Sequence, residues 1–250
     1  MGTIRVAAAG DVHADASRRE DLEAAFTGIR GKADLILLAG DLTTHGQPEE
    51  VQVVADASQL AELPVFSVLG NHDWHSDRAG EVVAVMQEAG VTMLERSWAT
   101  CDVDGTSVGI VGTKGFVGGF PGSHLPDFGE PLLREVYAET GHEAAAIDAG
   151  LEATAGCDFQ VVLLHYSPTL ITLEGERPEI AAFLGCDRLA RPIADHRPDL
   201  VLHGHAHAGR FDGTIGSVPV FNVALPMKRE FWVFELSADR QRTPEYALIG

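Results

Sequence analysis

Basic side chains are scarce in this 250-residue chain: 18 lysines and arginines stand against 37 aspartates and glutamates, a formal charge of −19. Binding to duplex nucleic acid or to an anionic membrane relies on clustered basic surface. Here the few cations are dispersed, so neither nucleic acid nor membrane is an expected partner. Cysteine is scarcer still. Cys101, Cys157 and Cys186 are odd in number, widely spaced and without a Cys-x-x-Cys pair. Neither a thiolate metal site nor a disulfide framework is expected, and that usage fits a reducing, cytoplasmic location. Long hydrophobic runs are missing as well. No stretch reaches 18 apolar residues, and Met1 leads directly into the short apolar run 4–9. No transmembrane helix and no signal peptide is therefore read.

What is present suits a globular α/β protein. Hydrophobic residues make up 45% of the chain, enough for a sizeable core without disulfides. Residues 4–9, 35–39 and 65–69 read as buried strands, alternating with amphipathic helices over 18–29 and 49–63. Such alternation points to βαβ units and a largely parallel sheet covered on both faces. A helix over 81–89 follows, then a hairpin of 98–103 and 107–111 around Asp104-Gly105. Residues 113–129 crowd glycine and proline together and read as an irregular loop, a candidate lid. Residues 131–155 read as helix with a break at Gly141, and 167–185 as a second irregular stretch. Strands over 200–203, 218–223 and 231–236 close the chain. With no repeat and no linker, residues 1–250 are expected to form a single domain.

Five short segments carry the chemistry: Gly10-Asp11-Val12-His13, Gly40-Asp41-Leu42-Thr43, Gly70-Asn71-His72-Asp73, His165 after Val161-Val162-Leu163-Leu164, and Gly204-His205-Ala206-His207. Each follows an apolar run, and open α/β sheets bind ligands outside the carboxyl ends of their strands. Together they offer oxygen and nitrogen donors enough for two metal ions. A two-ion hydrolytic site needs one carboxylate shared by both ions, which then lie about 3.5–4 Å apart. Asp41, alone at the end of a central strand, is the natural bridge. Asp11 with His13, and His205 with His207, are spaced two apart and can converge on one ion. The glycines at 10, 40, 70 and 204 suit close backbone approach. Imidazole and carboxylate donors without thiolate suit Mn, Fe or Zn. The acidity of the chain is no bar to a phosphate substrate, because charges beyond a Debye length of roughly 8 Å are screened.

The ordered set Asp-x-His, Gly-Asp, Gly-Asn-His-Asp, a lone His and Gly-His-x-His resembles the calcineurin-like metallophosphoesterases, over residues 10–207. That resemblance implies an α/β/β/α sandwich of two mixed sheets. It also implies a first ion on Asp11, His13, Asp41 and His207, and a second on Asp41, Asn71, His165 and His205. A bridging hydroxide would attack phosphorus. Asn71 and His72 would contact the substrate, His72 would protonate the leaving group, and Asp73 would orient or charge His72. An ordinary imidazole pKa near 6.5 suits that role.

One branch of the family, the Ser/Thr protein phosphatases, carries Gly-Asp-x-x-Asp-Arg-Gly, and here Thr44 and His45 replace the Asp-Arg pair. The resemblance therefore lies nearer to class III cyclic-nucleotide phosphodiesterases and small bacterial or archaeal phosphoesterases. The expected function is hydrolysis of a small-molecule phosphodiester or phosphomonoester, such as a nucleotide. A non-catalytic metal-binding scaffold and a nuclease stand as alternatives, the second disfavoured by the charge of −19. His203 and Asn222, near the motifs, read as structural and as a hydrogen-bonding neighbour respectively.

Overall fold

The computed structural model describes residues 2–228 and 230–237; the rest of the expected domain lies outside the described residues. The first sheet contains β1 (Ile4–Ala9), β2 (Leu35–Ala39), β3 (Val65–Val68), β4 (Thr92–Met93) and β11 (Trp232–Leu236). Its order is β11-β1-β2-β3-β4, parallel throughout except for β11. The second sheet contains β5 (Ser97–Val103), β6 (Thr106–Gly112), β7 (Phe159–Leu163), β8 (Leu200–His203), β9 (Asp212–Ile215) and β10 (Val218–Asn222). Its order is β5-β6-β7-β8-β10-β9, with a parallel centre and an antiparallel strand at each edge.

Period-two alternation along the strands sorts the core into layers. Ile4, Val6, Ala8, Leu35 and Leu37 of the first sheet pack against Val108, Ile110, Val161, Leu163 and Leu202 of the second. The opposite face of the first sheet, with Ala7, Ala9, Ile36 and Leu38, is covered by α1 (Arg19–Gly28), α2 (Pro48–Gln59) and α3 (Ala79–Glu88). Val111, Val162, Val201 and Val220, on the outer face of the second sheet, meet Ile147 of α4 (Pro131–Ala153) and Ile193 of the helix Ala190–His196. A short turn, α5 (Ala181–Leu184), precedes that helix, which is α6, and α7 (Leu225–Lys228) follows β10. The result is the four-layer sandwich of two mixed sheets that the family resemblance implied. Among the described residues no helix is long and apolar enough to cross a membrane.

The local readings hold with some corrections. The Asp104-Gly105 turn has φ of 50° and 80°, the left-handed pair that matches the twist of a tight hairpin. The second helix ends at Gln59 rather than 63, because Glu62 turns to a left-handed φ of 57°. The edge strands β4 and β9 and helix α6 escaped the sequence reading. The first is two residues long, the second exposes Asp212 and Thr214, and the third carries Pro192 in its first turn, where the missing N–H is tolerated.

Gly141 does not break α4, which runs unbroken for 23 residues. Its missing side chain makes room for Arg188, whose Nη2 would lie 3.0 Å from a Cβ there. Arg188 stacks over Tyr137 at 3.8 Å and donates to its carbonyl at 2.7 Å. Gly150 has a different purpose, because a Cβ there would lie 2.5 Å from Val111 Cγ1 on β6. Replacing Gly150 by Ala should therefore cost about 1–3 kcal/mol through overpacking. Gly141→Ala should cost far less, since only the tip of a flexible arginine must move. Thermal unfolding of the two variants checks this: the Gly150 variant should melt several degrees lower, by about 2–4 °C per kcal/mol, and the Gly141 variant close to wild type.

Candidate metal centre

The five segments converge at the carboxyl ends of parallel strands from both sheets. Asp11 and His13 follow β1, Asp41 follows β2, Asn71 and His72 follow β3, His165 follows β7, and His205 and His207 follow β8. Main-chain hydrogen bonds knit these ends together: Asp11 N–H to Gly40 O, His13 N–H to Asp41 O, and Gly204 N–H to His165 O. Space is made by glycines. A Cβ on Gly70 would overlap the Asp41 carboxylate, and one on Gly204 the Asp11 carboxylate.

The backbone is strained where the donors sit. Asp11, His13, Asp41 and His205 have left-handed φ of 56°, 44°, 49° and 70°. Left-handed φ is uncommon for residues with a side chain and collects at functional sites, at a cost of order 1–3 kcal/mol each.

All seven expected ligands are brought into one cluster. Donor atoms of Asp11, His13 and His207 lie within 4.8 Å of one another, as do those of Asp41, His165 and His205, and those of His13, Asp41 and His72. Asp41 is shared by the last two groups, and His13 by the first and the last. Asp41 Oδ1 lies 3.4 Å from His165 Nε2, while its Oδ2 lies 3.8 Å from His13 Nε2 and 4.0 Å from His72 Nε2. Asn71 joins them through Oδ1, 2.9 Å from His165 Nε2.

Counting protons tests whether cations fit. His165 Nδ1 lies 2.9 Å from Ala39 O, a carbonyl that can only accept, so Nδ1 carries the ring proton of the neutral imidazole and Nε2 bears a lone pair. That lone pair faces Asn71 Oδ1 and Asp41 Oδ1, with no proton between them. Among the described residues, His13 Nε2 is buried and has no hydrogen-bond partner. Facing lone pairs repel, and a divalent cation between them converts the repulsion into ligation. The donor set therefore fits two metal ions.

Two of the rings are held in the metal-ligating form, whereas Asp11 favours the protonated form of His207. Burial pushes the His205 imidazole down to about 3, aided by the nearby His165 and opposed by Asp11, and burial likewise lowers His13. Both rings are neutral at pH 7, the form that ligates metal. Burial raises the Asp11 carboxyl, but the His207 hydrogen bond and the neighbouring His165 outweigh it and hold the group at about 2. His207 is raised by that same hydrogen bond, 2.8 Å from Nε2 to Asp11 Oδ1.

His72 lies edge-on to His13, with ring centroids 4.6 Å apart. Its Nδ1 lies 2.8 Å from Thr44 O, which leaves Nε2 as the free nitrogen, and its side chain is 33% exposed. The expectation that Asp73 orients His72 is corrected here. Asp73 is fully buried and accepts from the N–H groups of Leu42, Thr43 and Gly70 and from the Thr43 hydroxyl. Its carboxylate ties the second motif to the third, and the Thr44 carbonyl takes the place at His72. Burial, with the charge of Asp41, pushes Asp73 up to about 6 against the hydrogen bonds from Gly70 and Thr43.

Nearby polar residues have structural partners. His203 is buried between Gly204 O and Thr172 Oγ1, and burial lowers it to about 4. Asn222 donates to Ala206 O at 2.6 Å and so pins the turn between His205 and His207. His45 pairs with Glu50, while His75 stacks on His72 at 4.5 Å. Sequence reasoning missed Glu95, which accepts from Leu69 N–H just before the third motif, and Tyr166, whose ring packs 4.6 Å from that of His205. It also missed the carbonyls of Ala39, Thr44 and Phe183 that each hold one histidine ring. A main-chain carbonyl has no sequence signature. The tyrosine, adjacent to His165, was within reach.

Comparison with known proteins supports the same reading. No curated protein matches the chain in sequence. Among solved structures, a phosphopantetheinyl hydrolase from Mycobacterium tuberculosis shares 16% identity and a TM-score of 0.62, over 96% of this chain and 93% of that one. An anchor of the inner membrane complex of Plasmodium shares 14% identity and a TM-score of 0.63, over 95% and 82%. A putative 5′-nucleotidase from Staphylococcus aureus shares 16% identity and a TM-score of 0.62; 97% of this chain spans about half, 52%, of that one. At these identities the likeness is one of fold. The sequence model for calcineurin-like phosphoesterases, however, matches residues 4–209. The chain belongs to the calcineurin-like phosphoesterase family and is a metal-dependent phosphoric ester hydrolase.

Proposed function

We propose that the protein hydrolyses a phosphodiester or phosphomonoester of a small molecule, such as a nucleotide, with two ions drawn from Mn, Fe or Zn. The observation that carries this reading is the set of facing, proton-free donors around Asp41, with His72 beside it and free at Nε2. Asp11, His13, Asp41 and His207 would hold one ion, and Asp41, Asn71, His165 and His205 the other. Bound there, such ions supply Lewis acidity toward a phosphoryl oxygen and lower the pKa of water. The chain supplies the rest. Asn71 and His72 reach the ester, and the Thr44 carbonyl fixes the His72 ring so that Nε2 faces the Asp41 side of the centre. In its protonated form, His72 donates the Nε2 proton to the departing oxygen.

Residues 1–250 act as one domain in this reading. Three unpaired thiols, at Cys101, Cys157 and Cys186, suit a cytoplasmic setting. A scaffold reading draws on the Plasmodium anchor of like fold, but a scaffold has no need of a proton donor beside a complete donor set. A nuclease needs the basic surface that a charge of −19 denies.

Three outcomes are expected. The metal-stripped protein should be inactive on 4-nitrophenyl phosphate and bis(4-nitrophenyl) phosphate and regain turnover of one or both with Mn; two bound ions without turnover on any ester of a broad panel would contradict the reading. His72→Ala should lower kcat by roughly 10²–10⁴-fold at unchanged metal content, the size of a general-acid contribution. A scaffold would be indifferent to that change. Gly70→Ala should lose bound metal, measured by elemental analysis, because its methyl would displace the Asp41 carboxylate.

A further inference from the structure

The two irregular stretches, 113–129 and 167–185, meet on α5. Ala182 O accepts from Gly118 N–H at 3.1 Å, and Gly185 O from Gly119 N–H at 2.9 Å. From the other side, Ser167 N–H donates to Leu184 O at 3.0 Å, and Cys186 N–H donates to Ser167 O at 3.1 Å. A small apolar cluster lies beneath: Phe120 from the first stretch, Leu173, Ala181 and Leu184 from the second, and Ala206 from between His205 and His207. This four-residue turn is thus fastened to both loops and to the last metal motif.

The turn also touches the centre directly. Phe183 O lies 3.1 Å from His205 Nε2. A carbonyl only accepts, so Nε2 carries the proton and Nδ1 is left as the nitrogen available to a metal. His165 and His72 are held in the same way by Ala39 O and Thr44 O, but those carbonyls flank the second motif, Ala39 at the end of β2 and Thr44 just past Thr43. Phe183 O comes instead from a segment that contributes no ligand. Partners of this kind fix the tautomer and ring orientation of a metal-ligating histidine.

We infer that α5 is a positioning element for the second ion, acting through the Phe183 carbonyl on His205, and that it couples both loops to that ring. The inference rests on the two-ion reading above. Gly185 offers the handle. A Cβ there would overlap the Ser167 carbonyl, so Gly185→Ala must shift the end of the turn relative to the residue two places after His165. Leu184→Ala loosens the same turn more gently by thinning the apolar cluster.

The test is nitrogen-15 NMR of the histidine rings in metal-free protein, followed by a Zn titration. In the wild type His205 should be the Nε2–H tautomer. In Gly185→Ala that preference should relax toward a mixture, with the ion at His165 and His205 bound about 10–100-fold more weakly and the ion at His207 weakened less. A folded Gly185→Ala variant with the wild-type tautomer and both affinities intact would overturn the inference, as would equal weakening of both ions. If Gly185→Ala fails to fold, the same spectra of Leu184→Ala decide between these outcomes. Tautomer and Zn affinity are read without turnover, so absent hydrolysis would count against the proposed reaction and leave this contact separately tested.

Discussion

Asp41 is a carboxylate 1% exposed at the end of a central strand, and the hydrogen bond it accepts comes from His72 N–H. Its remaining lone pairs face imidazole nitrogens 3.4–4.0 Å away, and in two of those rings the other nitrogen is held by a main-chain carbonyl. Burying an ionised carboxylate without full compensation costs several kcal/mol. Asp73, equally buried 32 residues later, shows the alternative: four hydrogen-bond donors surround it, and it holds loops together. The two aspartates differ in what faces them. Donors make Asp73 structural, whereas acceptors make Asp41 a seat for cations.

The rest of the fold delivers those acceptors. Strand ends from two separate sheets must come within bonding distance of one another, which goes with close backbone approach at Gly70 and Gly204 and left-handed φ at Asp11, His13, Asp41 and His205. The apolar layer between the sheets holds them in register. The helices outside contribute no ligand; they cover the other sheet faces and, at Gly150, press closely enough that even a methyl group is excluded. Strain at the ligands is offset by this packing. It would be relieved further by the ions themselves.

Much of this was legible in the sequence, for identifiable reasons. Buried parallel strands are written as continuous apolar runs, and a site at their carboxyl ends places each donor just after such a run. That is why Asp11, Asp41, Asn71, His165 and His205 could be picked out without coordinates. What stayed hidden was written in the main chain or in long-range packing. Thr44 reads as a departure from a family pattern, yet its carbonyl does the work at His72 that the family resemblance assigned to Asp73. Gly141 reads as a helix break, yet Arg188, 47 residues away, fills the space it leaves. The 167–185 stretch reads as irregular because α5 has four residues, too few for any periodicity to show.

The central claim is that one carboxylate serves two ions, and the metal content of Asp41→Asn tests it most directly. Elemental analysis of the wild type loaded with Mn should give two ions per chain. An amide cannot offer two anionic oxygens, so the variant, folded by its thermal transition, should lose both ions together under the same loading. Retention of one ion at wild-type affinity would show that Asp41 serves a single site and would contradict the account.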